Sequence, residues 1–138
     1  MKKALTILLA TLLLLTGADC KAADYPEYRP DAPYPERPHL TKSSGVFYGV
    51  SGKETYYNLP MGQVIQNMRD MGYTVEEYPF YIREDGAKCL GSYVICAADL
   101  GIRPKGTILE TSLGYALVCD TGSFAQYNST QIDLAVDW

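Results

Sequence analysis

R-P-K-G-T-I-L-E-T-S-L-G-Y-A-L-V-C-D-T-G-S-F-A-Q-Y-N-S-T-Q-I-D-L-A-V-D-W, running from Arg103 to Trp138, is the stretch that decides the fold. Two short apolar runs in it end on or enclose an aspartate. Ala116 to Cys119 leads into Asp120, and Ile132 to Val136 encloses Asp133. A carboxylate in an apolar strand must find partners or shift its pKa, because desolvating the charge is costly. Two of them in neighbouring strands point to chemistry more than to packing. Asp133 lies between Ile132 and Leu134, so its side chain points to the opposite face of the strand from theirs. Asp120 is followed by Thr121-Gly122, a sequence that lets the chain turn back and donate hydrogen bonds to the carboxylate.

Working outward, Thr107–Thr111 and Tyr115–Cys119 read as strands joined through Leu113-Gly114, with Gln131–Val136 as the closing strand after a polar loop over 122–130. Ser92–Ala98 is a further strand, and Asp99 follows it directly, as Asp120 follows its own. Pro79–Ile82 and Ala87–Leu90 flank an Asp85-Gly86 turn and form a hairpin. Val46–Val50 is a short strand pattern, and Glu54–Asn58 is a second strand or its continuation. Between them and the hairpin, Met61, Val64, Ile65, Met68 and Met71 recur at helical spacing and share one face. Pro60 suits the start of that helix and Gly72 its end. The methionines are core filler. Many short strands and one helix make this a mainly β chain, a small barrel with a helical insertion.

Upstream, Met1 to Leu15 is a two-lysine start followed by an uncharged run of about a dozen apolar residues, below the roughly 20 that span a bilayer. Residues 1–22 are therefore expected to be a secretory signal, and the protein to be exported to the cell envelope or secreted. Gly17 and Asp19 do not suit Cys20 to lipid attachment, so simple cleavage after Ala22 is expected. Residues 23–43 are expected to be a proline-rich spacer: Asp24 to His39 holds five prolines and four acidic residues, a composition that favours extended, solvated chain. The folded domain is expected over 44–138.

Several classes are excluded. Cleavage removes three lysines and one aspartate, which makes the formal charge of −4 more negative still. An acidic chain without a basic run argues against nucleic acid and against an anionic membrane surface. The single histidine, His39, sits in the spacer, which rules against Cys-His or Ser-His catalysis in the core and against zinc spacing. Glycines are scattered and build no phosphate-cradling loop. Cys89, Cys96 and Cys119 are an odd set, so at least one thiol is free, and the sequence does not choose a disulfide pair. No metal or cofactor is expected; carboxylates remain.

Asp99, then Arg103-Pro104-Lys105-Gly106-Thr107, then Gly114 to Gly122, then Ile132-Asp133-Leu134 resembles the 3D (three-aspartate) domain, and the likeness runs from Asp99 to Leu134. That resemblance implies a six-stranded double-psi β-barrel like the catalytic core of membrane-bound lytic transglycosylase A and of stationary-phase peptidoglycan-lysing proteins. It implies a monomer that acts on the glycan strands of peptidoglycan, a lytic transglycosylase of cell-wall turnover. Asp99, Asp120 and Asp133 match the three aspartates, with Asp133 at the position of the proton donor and the other two holding it and raising its pKa. Thr121, Gly122, Ser123, Tyr115 and Tyr48 are the candidate substrate-binding residues, and Tyr56 and Tyr57 offer further flat faces to sugars. Ser123-Phe124 departs from the family's second glycine and its neighbour, and the loop before Asp133 is longer. Two other readings stand beside the enzyme. One is a glycan-binding module of the same fold. The other is an aspartic protease, suggested locally by Asp120-Thr121-Gly122 but followed by too short a chain.

Overall fold

The structure, a computed structural model, describes residues 37–138. The expected signal at 1–22 and most of the spacer lie outside them. Eight strands, one α-helix and one 3-10 turn follow in order: β1 Phe47–Gly49, β2 Gly52–Tyr57, α1 Gly62–Asp70, β3 Phe80–Ile82, β4 Lys88–Leu90, β5 Tyr93–Ala97, β6 Ile108–Thr111, β7 Gly114–Asp120, the turn Ser123–Gln126, and β8 Ile132–Ala135. The chain is mainly β, as its patterning implies, but the described residues form eight strands where the family resemblance implies six. All eight sequence segments read as strand-like are strands. The polar loop before β8 holds the 3-10 turn, whose backbone bonds run from Ala125 to Gly122 and from Tyr127 to Phe124.

One mixed sheet contains every strand. Its path runs β1-β2-β8-β5-β4-β3, and β7, with β6 beside it, branches from β5. β2 lies parallel to β8 and β5 parallel to β7, while the remaining pairs are antiparallel. β5 is the hub. One edge carries β7, and the other is divided between β4 near Tyr93–Val94 and β8 near Cys96–Ala97. Core packs on both faces of β5, so its side chains read as a continuous apolar run. Val94, Ile95, Cys96, Ala97 and Ala98 are all buried.

Alternation along the strands divides the core in two. Val94, Cys96, Ala116, Val118, Ile132 and Leu134 pack on one side with Leu40 and Val136. Ile95, Leu117, Cys119 and Ala135 pack on the other with Met61 and Met68 of the helical segment. Leu40 is 1% exposed and its N–H donates to Ser112 Oγ at 2.9 Å, so the packed domain begins ahead of Ser44. Met71, expected on the buried helical face, is 51% exposed. The helix ends at Asp70, and the amide of Gly72, at φ 99°, bonds Arg69 O while that of Tyr73 bonds Met68 O. This left-handed closure reverses the chain just after Met71, which caps the helix at its exposed end.

Gly86 at the β3–β4 turn is irreplaceable on two counts. Its φ is 88°, and a Cβ there would lie 2.3 Å from Trp138 Cδ1 and from Asp137 Oδ1. Gly86→Ala is expected to cost about 2 kcal/mol or more, since left-handed backbone alone costs an alanine about 1–2 kcal/mol. A fall in melting temperature with changed Trp138 fluorescence is the readout.

Among the described residues, no helix is long and apolar enough to cross a membrane.

Candidate functional site

Ala97, near the end of β5, pairs in register with Asp120 of β7 on one side and with Asp133 of β8 on the other. β7 and β8 are not neighbours. The two carboxylates therefore flank Ala97, itself buried, one on each side. Beyond Asp133 the row continues to Thr55, its parallel partner in β2. A bulge between Cys96 and Ala97 brings Asp120 rather than Cys119 into this row; such irregularities re-aim side chains next to functional sites.

Each carboxylate has its own donors. Thr55 Oγ1 donates to Asp133 Oδ1 at 2.9 Å, and Gln131 Nε2 donates to Thr55 Oγ1 at 3.0 Å. Tyr57 OH donates to Asp120 Oδ2 at 3.1 Å, and the Thr121 amide donates to Asp120 Oδ1 at 2.8 Å. Burial pushes the Asp133 carboxyl above its ordinary value; the Thr55 hydroxyl opposes this, and the negative charge of Asp120 adds to it. Burial, Asp120 and, more weakly, Asp133 push the Tyr57 phenol well above its usual range, so it stays a donor.

Asp99 behaves differently. Its Oδ1 accepts the Gly101 amide at 2.8 Å and its carbonyl accepts the Arg103 amide at 2.8 Å, so the side chain closes its own turn. Thr55, rather than Asp99, holds Asp133. The turn delivers Arg103, whose guanidinium donates to Thr130 O at 2.9 Å and Ser51 O at 2.5 Å, fastening the loop before β8 to the β1–β2 hairpin. Thr107 Oγ1 closes the same segment on Pro104 O at 2.6 Å.

The expected substrate residues are spread out. Thr121, Gly122 and Ser123 form the rim beside Asp120, and Phe124 folds back so closely that a Cβ on Gly122 would sit 2.9 Å from its ring. Tyr48 is 77% exposed on edge strand β1, opposite Lys53 and therefore on the same strand face as Thr55. Tyr115 lies five residues upstream of Asp120 in β7, about 16 Å away at the usual rise, and does not join the pair. Tyr56 packs against Trp138 with ring centroids 4.5 Å apart.

Sequence reasoning missed Thr55 and Gln131 as partners of Asp133, and gave Tyr57 only a sugar-stacking role. Thr55 and Tyr57 alternate along Glu54-Thr55-Tyr56-Tyr57 and so share a face, but nothing local says that β2 runs parallel to β8. It also missed Glu54, fully buried on the other side of β2, whose carboxylate accepts the Ser112 amide at 2.9 Å and the Ser112 hydroxyl.

A pocket of about 250 Å³ opens elsewhere, between Leu40, Lys42, Asp85 and Trp138. It contains none of the three aspartates, and its carboxylate is already paired with Arg83 at 2.6 Å. The convergence of titratable groups locates the candidate site better than this cavity does.

Cys89, Cys96 and Cys119 are all buried free thiols. Burial pushes Cys89 up to about 11 and Cys119 up to about 12, and raises Cys96 further. The native protein is therefore expected to leave all three unreacted toward an aromatic disulfide reagent at pH 8, and to titrate three thiols after denaturation when the chain starts past Cys20. Among the described residues, no three His, Cys, Asp or Glu are placed to hold a metal ion.

No protein-family model matches this chain, and no curated protein or solved structure matches it.

Proposed function

We propose that the protein is an exported, peptidoglycan-active lytic transglycosylase that cleaves the bond between N-acetylmuramic acid and N-acetylglucosamine with Asp133 as general acid and base. The observation that carries this reading is the pair of carboxylates flanking Ala97, with Asp133 partly buried and raised by burial and by the charge of Asp120. Two carboxyl groups whose surroundings push their proton affinities apart are the usual arrangement of a proton donor beside an anion.

In the proposed reaction the Asp133 carboxyl gives its proton to the glycosidic oxygen as the C1–O bond breaks, and the carboxylate of Asp120 faces the positive charge that develops on the sugar. Asp133, now ionised, takes the proton of the muramoyl C6 hydroxyl while that oxygen bonds C1, closing a 1,6-anhydro ring. Donor and acceptor are the same group, so no second carboxylate has to place a water, as an inverting hydrolase requires. Tyr48 and the 121–123 rim offer glycan contacts on either side of the pair.

The double-psi β-barrel is proposed as the finer architecture. Its support is the mixture of parallel and antiparallel pairs at β5 and the bond between Glu54 and Ser112. β2 and β6 are four strand spacings apart along the path, about 19 Å on a flat sheet. A direct hydrogen bond between β2 and the β6–β7 turn requires strong curling. The family resemblance, carried by Asp99, Asp120 and Asp133 in their motifs, supports the same architecture.

Purified sacculi test the proposal. Wild-type protein is expected to release anhydromuropeptides and Asp133→Ala to release none. A glycan-binding module would instead retain both proteins on the sacculi with no release by either.

A further inference from the structure

β2 supplies two hydroxyl donors from one face, and they go to different carboxylates: Thr55 to Asp133 and Tyr57 to Asp120. The two donors are not equivalent. Thr55 Oγ1 also accepts from Gln131, so its single proton is committed to Asp133 and its orientation is set by a third group. The Tyr57 ring is packed against the Met61, Met68 and Leu117 side of the core, which leaves its hydroxyl little choice of direction. Asp120 has a second donor in the Thr121 amide. Asp120 therefore accepts two hydrogen bonds where Asp133 accepts one. Hydrogen bonds to a carboxylate favour its charged form, so the geometry leaves Asp133, with the single donor, as the member suited to carry a proton.

We propose that Tyr57 is a positioning residue of this site: its hydroxyl holds Asp120 as a hydrogen-bond acceptor and so leaves Asp133 as the proton-bearing member of the pair. The inference rests on the acid-base reading of the site, and it assigns the proton to one atom set for a structural reason. The other titratable and charged groups around the pair are Cys96 of β5, under Arg103 and Asp133, and Cys119 of β7, under Asp120 and Lys105. Both thiols stay neutral near neutral pH, so they do not compete for the proton.

The test is a titration of the full folded chain with ¹³C-labelled aspartate carboxyls, comparing wild type with Tyr57→Phe. Two interacting carboxyls lose their protons in two macroscopic steps that belong to the pair. In wild type the upper step is expected at the Asp133 carbon alone. In Tyr57→Phe, which keeps the packed ring, both carbons are expected to report the upper step, because the proton is now shared. Tyr56→Phe removes a hydroxyl that bonds Lys42 O at 3.3 Å, on the other side of β2, and is expected to match wild type. An upper step that stays confined to Asp133 in Tyr57→Phe, or that never appears at Asp133 in wild type, overturns the inference. In parallel, Tyr57→Phe is expected to lower sacculus cleavage about tenfold, the scale of one charge-assisted hydrogen bond, and to narrow the pH–rate profile. The titration needs no turnover. If wild type fails to cleave while the proton still delocalises in Tyr57→Phe, the transglycosylase reading falls and the role of Tyr57 stands.

Discussion

Asp133→Asn is expected to lose about 10²- to 10⁴-fold in sacculus cleavage, the range that a positioned general acid contributes. Asparagine keeps the size of the side chain and an oxygen for the Thr55 hydroxyl, which donates at 2.9 Å, so the strand pairing around it should persist. What it lacks is a transferable proton. Stability is expected to move the opposite way at neutral pH. The folded carboxyl of Asp133 holds its proton above the ordinary 3.8, so the native state binds more protons than the unfolded chain across that window. Native stability therefore falls as pH rises from the ordinary carboxylate range through the raised value. Asp133→Asn removes that dependence and should equal or exceed wild type in melting temperature at pH 7. A gain in stability with a loss of activity is the signature of a strained functional group. A large fall in stability would instead mean that Asp133 is a structural carboxylate.

Glu54→Ala is the largest stability effect expected in the molecule. The side chain is fully buried and ties β2 to the β6–β7 turn through both groups of Ser112, and Ser112 Oγ in turn accepts the Leu40 amide. Alanine leaves the Ser112 amide without its acceptor and opens a cavity, for a cost of about 3–5 kcal/mol. Glu54→Gln is expected to cost under about 1 kcal/mol. Its amide oxygen can accept the Ser112 N–H and its NH₂ can donate to Ser112 Oγ, as a protonated acid would. Burial raises the Glu54 carboxyl above its ordinary 4.5, while the bonds from Ser112 oppose the shift. Wild type should therefore lose stability as pH rises from about that value, and Glu54→Gln should lose less over the same window, keeping only the contribution of Asp133. Chemical denaturation of the three proteins between pH 4 and pH 8 gives the comparison.

Much of this was legible in the chain. Short apolar or alternating runs bounded by turn residues located the strands, and the 3.6-residue spacing of Met61, Val64, Ile65 and Met68 located the helix to within a residue or two. The alternation of Ile132, Asp133 and Leu134 placed one carboxylate on the face opposite the apolar pair, where it lies. The partners of those carboxylates were not legible. Strand neighbours are set by long-range pairing, and β8 finds β2 from 76 residues away, as the Gln131–Thr55 bond records. Thr55 and Tyr57 thus carry no local mark of their role. Glu54 was hidden for the same reason: a glutamate in E-T-Y-Y reads as a solvent-facing strand residue until Ser112 is brought to it by the curling of the sheet. Asp99 reads both ways in the sequence, because an aspartate after a strand serves a turn as readily as a site, and its carboxylate takes the Gly101 amide.

Digestion of sacculi in ¹⁸O-labelled water, with mass spectrometry of the released muropeptides, tests the central claim most directly. If Asp133 both gives and takes the proton while the muramoyl C6 oxygen closes on C1, the products end in 1,6-anhydro rings and carry no label from solvent. Reducing ends bearing one ¹⁸O would show that water attacks C1, and the absence of any product would show that the carboxylate pair does not cleave glycan; either result contradicts the account.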